Sequence, residues 1–460
     1  MSTEPIPPGP APPARIGGWR HIFRPAPALP VTLTDPQLIK KSYATWQWRV
    51  LIFSILGYAT FYLVRKNLGF AKLDMESKVG LDDKAFGIFI TLHGVLYGIS
   101  KFANGFLGDR TNARTFMAVG LTLSAVLNII FGVSSGLWAL GLIWLVNGWV
   151  QGMGYPPCAR LISNWFPPKQ LATKFSTWNA SHCIGGATII LLCSWLLTRH
   201  WPIHFDGWRL CFLVPAGIAL IIAVVLWFNL PDTPPSVGLP ELEGTETKSP
   251  APESRAEFRA FLMENVFGNR YVWLVSGANF FVYTIRYAVF DWGPTVLRDA
   301  KHITIVHSAW MLVAFEAFGL LGALLGGWIT DRFLGGRAGR ACVVYMTLAG
   351  VFVYLFWKVP AQSEWLTTGL LCAIGFFVYG PQCLLAIVAA NLATKRAAAT
   401  AVGLTSLFGY ASTVLSGWGL GTIVKNYGWD RGFAVLIGCA AAGTILFICV
   451  WPAKAHGYKE

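Results

Sequence analysis

Two arginines, Arg65 in YLVRKN and Arg286 in YTIRYAVF, lie inside long apolar runs and are offset by 221 residues. A charged side chain placed in hydrocarbon costs about 3 kcal/mol or more, so such a residue is a functional candidate by default. Neither arginine has an acid beside it in the sequence, and the pair therefore calls for an anion. A guanidinium is charged at every working pH and grips two oxygens at once, which suits a phosphoryl group better than a lone carboxylate. The alternative is structural: each arginine snorkels, or pairs with an acid such as Asp291 or Glu316.

The elements that must position these arginines are membrane helices. The chain has 460 residues, is 55% hydrophobic with a mean hydropathy of +0.53, and is 13% charged, against about 25% in soluble domains. Apolar runs of about 20 residues, the length that spans a bilayer core, recur after residue 45. They predict twelve spans, at 46–75, 85–107, 115–134, 137–160, 171–197, 208–230, 270–297, 305–330, 338–358, 363–391, 397–424 and 430–451. The fold class is thus an all-α membrane protein with two six-helix bundles, 46–230 and 270–451. A Pro-rich leader, 1–45, is expected to be disordered and to carry no removed segment. A polar linker, 231–269, joins the bundles, and a tail, 452–460, ends the chain. Lys and Arg concentrate in the loops that share a side with both termini, so those loops and both termini are expected in the cytoplasm.

The +14 charge follows from that loop bias, and no nucleic-acid partner is expected. Nine cysteines without a C-x-x-C pair argue for buried thiols, with no metal site and no disulfide framework. Gly132-Val133-Ser134-Ser135-Gly136 fits a hydrolase nucleophile pattern but falls in a hairpin between spans, without the strand-turn-helix context the chemistry needs. No P-loop sequence occurs, and neither a cofactor nor ATP is implied. An enzyme is not expected.

The halves echo each other. Gly-x-x-x-Asp-Arg occurs as Gly105, Asp109, Arg110 and again as Gly327, Asp331, Arg332, with nearly the offset that separates Arg65 from Arg286. A parallel six-plus-six duplication explains both spacings and sets the two arginines at similar depths on symmetric helices around one cavity. The Asp-Arg loops are assigned a gating or helix-capping role. One such chain supplies a complete cavity, so a monomer is expected.

Five segments carry a resemblance to a known family: GYATFYLVRKN at 57–67, NGWVQGMGYPPCAR at 147–160, WNASHCIGG at 178–186, FFVYTIRYAVFDWGPTVL at 280–297 and GFFVYGPQ at 375–382. Over about residues 45–450 the chain resembles the organophosphate:phosphate antiporters of the major facilitator superfamily. Its likeness is greatest to the bacterial glycerol-3-phosphate transporters, with the hexose-phosphate transporters and their sensor homologue close behind. The resemblance implies that Arg65 and Arg286 bind substrate, that His182 is the central histidine, and that Lys101, Tyr58, Tyr62, Tyr97, Tyr379 and Tyr410 contact it. Lys66, about 100° around a regular helix from Arg65, is expected to face elsewhere and to tune the site. Asp291 and Glu316 are expected to hold salt bridges that phosphate breaks. Tyr155 and Ser181 depart from the family pattern, which bears on the organic group rather than on phosphate.

The expected function is exchange of a phosphorylated metabolite, glycerol-3-phosphate or a hexose phosphate, for inorganic phosphate by alternating access in the bacterial inner membrane. The partners are those substrates and the lipid bilayer. The alternatives are a membrane sensor of sugar phosphate that signals to a histidine kinase, and a proton-coupled anion symporter.

Overall fold

Asp35 starts the first helix by accepting the Gln37 amide, with Pro36 supplying the fixed φ of the first turn. The computed structural model describes residues 23–30, 35–108, 111–199, 201, 206–241, 255–334, 337–360, 363–393 and 398–453. Residues 36–45, expected within the disordered leader, are therefore helical. Asp109 and Arg110 lie outside the described residues, as does the side chain of Asp331.

The described residues are helical, without a strand. The first half holds α1 (Pro36–Leu63), α2 (Leu68–Val79), α3 (Asp83–Gly108), α4 (Ala113–Val133), α5 (Leu137–Gln151), α6 (Tyr155–Trp165), α7 (Pro168–Asn179), α8 (Ser181–Thr198) and α9 (Gly207–Asn229). A short helix, α10 (Arg255–Leu262), lies in the linker. The second half holds α11 (Arg270–Asp299), α12 (Ile305–Phe333), α13 (Ala338–Lys358), α14 (Glu364–Leu392), α15 (Ala398–Ala411) and α16 (Leu420–Val450).

Among the described residues, nine helical stretches are long and apolar enough to cross a membrane. One of them, Thr400–Val450, contains two predicted spans separated where Gly428 takes φ 75°. The remaining two predicted spans are the broken pair α5–α6 and the more polar α11. All twelve predicted spans are thus helical. In the first half α4 packs on α9, α3 on α5, and α1 on α8; in the second α12 packs on α14, α13 on α16, and α11 on α15 and α16. The halves meet along α8 with α12, and along α3 with the π-helical turn Val414–Gly419 and α16. The first half therefore offers its fifth and second spans to the eighth and eleventh of the chain, which are the second and fifth of the other half, a pseudo-two-fold arrangement.

The first span breaks between α1 and α2, at residues 64–67, and the break is held by three asparagines. Asn128 and Asn147 donate to the Val64 carbonyl at 2.9 and 3.1 Å. Asn67 donates to Asn128 Oδ1 at 2.9 Å and to the Cys211 carbonyl at 3.0 Å. In lipid a broken helix survives only where neighbours take up the freed backbone groups, and these amides do so.

Candidate functional site

A cavity of about 650 Å³ lies between the halves, within the size range of small-molecule sites. Arg65 comes from the break after α1 and Arg286 from the middle of α11; both line it, and both are at least nine-tenths buried. The Arg65 guanidinium lies 4.0 Å from the Tyr62 ring centroid and 4.8 Å from that of Tyr97. Arg286 lies 4.8 Å from the Tyr379 ring. Aromatic faces of this kind hold a desolvated cation by about 2 kcal/mol each while leaving its N–H groups unspent. Accordingly the Nε of Arg65 and the Nε of Arg286 are both buried without a hydrogen-bond partner.

Lys101 reaches the cavity from α3, where its ammonium donates to the Tyr410 hydroxyl at 3.0 Å and sits 4.1 Å over the Tyr155 ring. Tyr58, Tyr62, Tyr97, Tyr410 and His182 also line the cavity. Tyr379 does not. It stands behind the wall, 1% exposed, and its hydroxyl accepts from Arg286 Nη2 at 3.3 Å while donating to Glu316. The expected salt bridge of Glu316 is therefore replaced by a phenol that connects it to Arg286.

Lys66 departs from expectation in the other direction. It lines the cavity, bonds Asp291 at 2.6 Å, and lies 5.0 Å from the Tyr287 ring and 4.9 Å from that of Phe290. The angle of 100° per residue applies only to an unbroken helix, and Lys66 sits in the break, where consecutive side chains can face one cavity. The expected Asp291 salt bridge is present. Among the described lining residues four cations, Arg65, Lys66, Lys101 and Arg286, face one carboxylate, Asp291. That imbalance fits a bound anion. Arg332, from the second Asp-Arg loop, is exposed in the last turn of α12, where a cation meets the negative end of the helix dipole.

Sequence reading missed His93, Tyr283 and Tyr287, all of which line the cavity. Tyr283 had a signal, lying one helical turn before Arg286; His93 had none. The Tyr155 departure, read as a change in organic-group preference, is a ring under Lys101.

The cavity is sealed at one end. Lys66–Asp291, Glu76–Arg298 at 2.7 Å, and Asp82–Lys425 tie the halves there. Thr91 donates to the Thr413 carbonyl at 2.8 Å and accepts from the Trp418 amide at 2.8 Å. A Cβ at Gly87 would overlap the Gly417 carbonyl, so glycine is what lets these backbones touch. Toward the other end the lining continues to Phe175, Leu324, Gly327 and Val402.

The probable hexose phosphate transport protein of Chlamydia trachomatis is 36% identical to this chain over 457 residues, covering 96% of this chain and 99% of that protein. The glycerol-3-phosphate transporter of Bacillus subtilis is 36% identical over 443 residues, covering 94% and 98%. The membrane sensor protein UhpC of Salmonella typhimurium is 34% identical over 441 residues, covering 94% and 98%. A solved bacterial homologue of the human lysosomal transporter Spinster, inward-facing and occupied, superposes with a TM-score of 0.71 at 15% identity, covering 89% of this chain and 97% of the other, which establishes the fold alone. The profile of the Major Facilitator Superfamily matches residues 54–417. An integral membrane protein with this helical order and these full-length relatives, the chain belongs to the Major Facilitator Superfamily.

Proposed function

We propose that this protein is a phosphate-ester transporter of the bacterial inner membrane that exchanges glycerol-3-phosphate or a hexose phosphate for inorganic phosphate. One observation carries the reading: Arg65 and Arg286, contributed by opposite halves, line one cavity with a buried, unpartnered Nε each and, among the described residues, no carboxylate bonded to either. A phosphoryl group supplies the acceptors that both forks lack. The relatives named for hexose phosphate and glycerol-3-phosphate transport support the same substrate class.

Both termini are cytoplasmic in this reading, since the basic loops then lie inside. The sealed end faces the exterior and the cavity opens inward. A phosphate bridging Arg65 and Arg286 draws the halves together at the open end and competes with Asp291 for Lys66, which loosens the sealed end. Without an anion the cationic groups repel one another and the return stroke is blocked, which makes exchange obligatory. One chain completes the cavity, and a monomer is the working unit.

The test is uptake of labelled phosphate by proteoliposomes preloaded with phosphate, glycerol-3-phosphate, glucose-6-phosphate or buffer. Uptake that requires an internal phosphorylated partner supports exchange. Uptake into buffer-loaded vesicles that collapses with a protonophore replaces it with proton-coupled symport. Sugar-phosphate binding without exchange replaces it with the sensor reading, which the UhpC relative favours.

A further inference from the structure

His182, Cys183 and Glu316 place their ligand atoms within 4.8 Å of one another, and all three side chains are buried. His182 and Cys183 belong to the first turn of α8 and Glu316 to the middle of α12, so the cluster spans the contact between the halves. His182 Nδ1 donates to the Asn179 carbonyl, which fixes the proton on that nitrogen and leaves Nε2 with a lone pair that accepts from the Cys183 thiol. That Nε2 lies 3.4 Å from Cys183 Sγ. Tetrahedral zinc, with bonds of about 2.0 Å to nitrogen and 2.3 Å to sulfur, separates such a pair by about 3.6 Å. Glu316 is 1% exposed; its Oε1 accepts from Tyr379, whereas Oε2 has no hydrogen-bond partner. A buried carboxylate oxygen without a partner, beside an imidazole lone pair and a thiol, is a donor set short of an acid.

The structure assigns to His182, Cys183 and Glu316 a three-ligand site for a divalent cation of zinc's class that bridges the two halves. Nitrogen, sulfur and carboxylate oxygen together select zinc over magnesium or calcium, which prefer oxygen alone. Cys183 binds as thiolate, its proton passing to solvent, and with Glu316 ionised the two anions balance the dication. The loaded site is therefore neutral: the dication replaces the one thiol proton released, and no net positive charge is left beside a cavity already rich in cations. The ion enters from the cavity, which His182 lines. Once bound it ties α8 to α12 and holds the halves in the conformer seen here, so zinc arrests the alternation that transport needs. The arrest rests on the transport reading; the binding does not.

The test uses the purified full-length protein titrated with cobalt as a spectroscopic stand-in for zinc. Wild type and a Cys383→Ser control should give one equivalent with a thiolate-to-cobalt charge-transfer band and the intense visible bands of four-coordination. Cys183→Ser, nearly isosteric, should lose the band and weaken binding about tenfold or more, since even outer-shell partners are worth 10 to 100-fold. Zinc should slow phosphate exchange about tenfold or more in wild type, reversibly with a chelator, and leave exchange by Cys183→Ser unaffected. No band in wild type, or a band that survives Cys183→Ser, overturns the site. A band without zinc inhibition of an active exchanger overturns the bridging. Because cobalt binding is read without transport, a protein that binds but never exchanges upholds the site and sinks only the transport reading.

Discussion

Lys66 and Asp291 close the cavity from opposite halves, Nζ to Oδ1 at 2.6 Å, with Arg65 one residue away on one side and Arg286 five residues away on the other. The same two segments thus carry the proposed anion clamp and the tie that seals the far end. An anion that reaches Lys66 must compete with Asp291, and this links occupancy of the cavity to the closure between the halves.

Removing Asp291's charge separates the two effects. Asp291→Asn releases Lys66 to the cavity, where an added cation favours phosphate by about 1 kcal/mol, roughly fivefold. The same change removes a charge-assisted tie at the sealed end. The expected outcome is an apparent phosphate affinity increased about fivefold together with a lower maximal exchange rate, read from the concentration dependence of exchange. A weakened affinity with an unchanged maximal rate would count against the competition.

Arginine-to-lysine substitution at either position 65 or 286 keeps charge and removes the two-pronged grip. Losing one charge-assisted hydrogen bond to a desolvated phosphate costs about 1.5–3 kcal/mol, or about ten to a hundredfold in affinity. Phosphate binding by calorimetry should fall by that factor for each of Arg65→Lys and Arg286→Lys, with the unfolding temperature unchanged. Equal affinity in wild type and both variants would remove the arginines from the site.

The break that aims Lys66 and Arg65 into one cavity was not legible from local sequence, and the reason is distance. The amides that take up the freed Val64 carbonyl come from Asn128 and Asn147, on α4 and α5, 64 and 83 residues along the chain. By contrast, the spans were legible because hydrophobic length alone sets them, and Arg65 and Arg286 because a charge in an apolar run is conspicuous. Tyr379 was placed at the substrate by the family resemblance, which matches a residue type at a position but does not say which of two buried faces meets the void. His93 and Tyr287 carried no cue at all. The sequence order of His182 and Cys183 looks nothing like a metal-ligand spacing, since the third ligand comes from the other half.

Asn128 therefore has a prediction of its own. Asn128→Leu leaves the Val64 carbonyl with one donor, from Asn147, and takes from the Asn67 amide one of its two acceptors, and each buried hydrogen bond lost costs about 0.5–1.5 kcal/mol. The protein should unfold at a lower temperature, and phosphate affinity should drop even though residue 128 does not line the cavity. Loss of stability with native affinity would show that the break does not position Arg65.

The Asp82–Lys425 tie joins the loop before α3 to α16, with the two side chains 44% and 45% exposed. Burial would raise the Asp82 carboxyl, but the Lys425 ammonium and the Ala85 amide outweigh it and hold the group below the usual carboxylate range. A depressed carboxylate contributes stability above its unfolded value, about 3.9, and loses it only as pH falls through the folded value. Between pH 5 and pH 8 the tie stays formed. Asp82→Asn should therefore alter exchange by the same small factor at both ends of that range, consistent with about 1 kcal/mol or less for an exposed pair. A factor that grows between pH 8 and pH 5 would place titration of Asp82 inside the working range.

Backbone contact at the sealed end yields the sharpest conformational prediction. Gly87 meets the Gly417 carbonyl so closely that any Cβ overlaps it, and Gly417 in turn would meet the Thr91 hydroxyl at 2.5 Å. Packed backbones have no side-chain rotamer with which to yield, so a larger residue must push the halves apart there. Gly87→Leu should shift the population toward a state open on the face that carries residues 80–82. Cys383 lines the cavity and reports on that opening. A membrane-impermeant thiol reagent applied from that face should label Cys383 several-fold faster in Gly87→Leu than in wild type, while phosphate exchange falls because the sealed state is no longer reached. Labelling from the opposite face should slow in parallel, since one population grows at the other's expense. Faster labelling from both faces at once would indicate a loosened fold rather than a shifted equilibrium, and unchanged labelling from both would show that the Gly87–Gly417 contact does not govern closure.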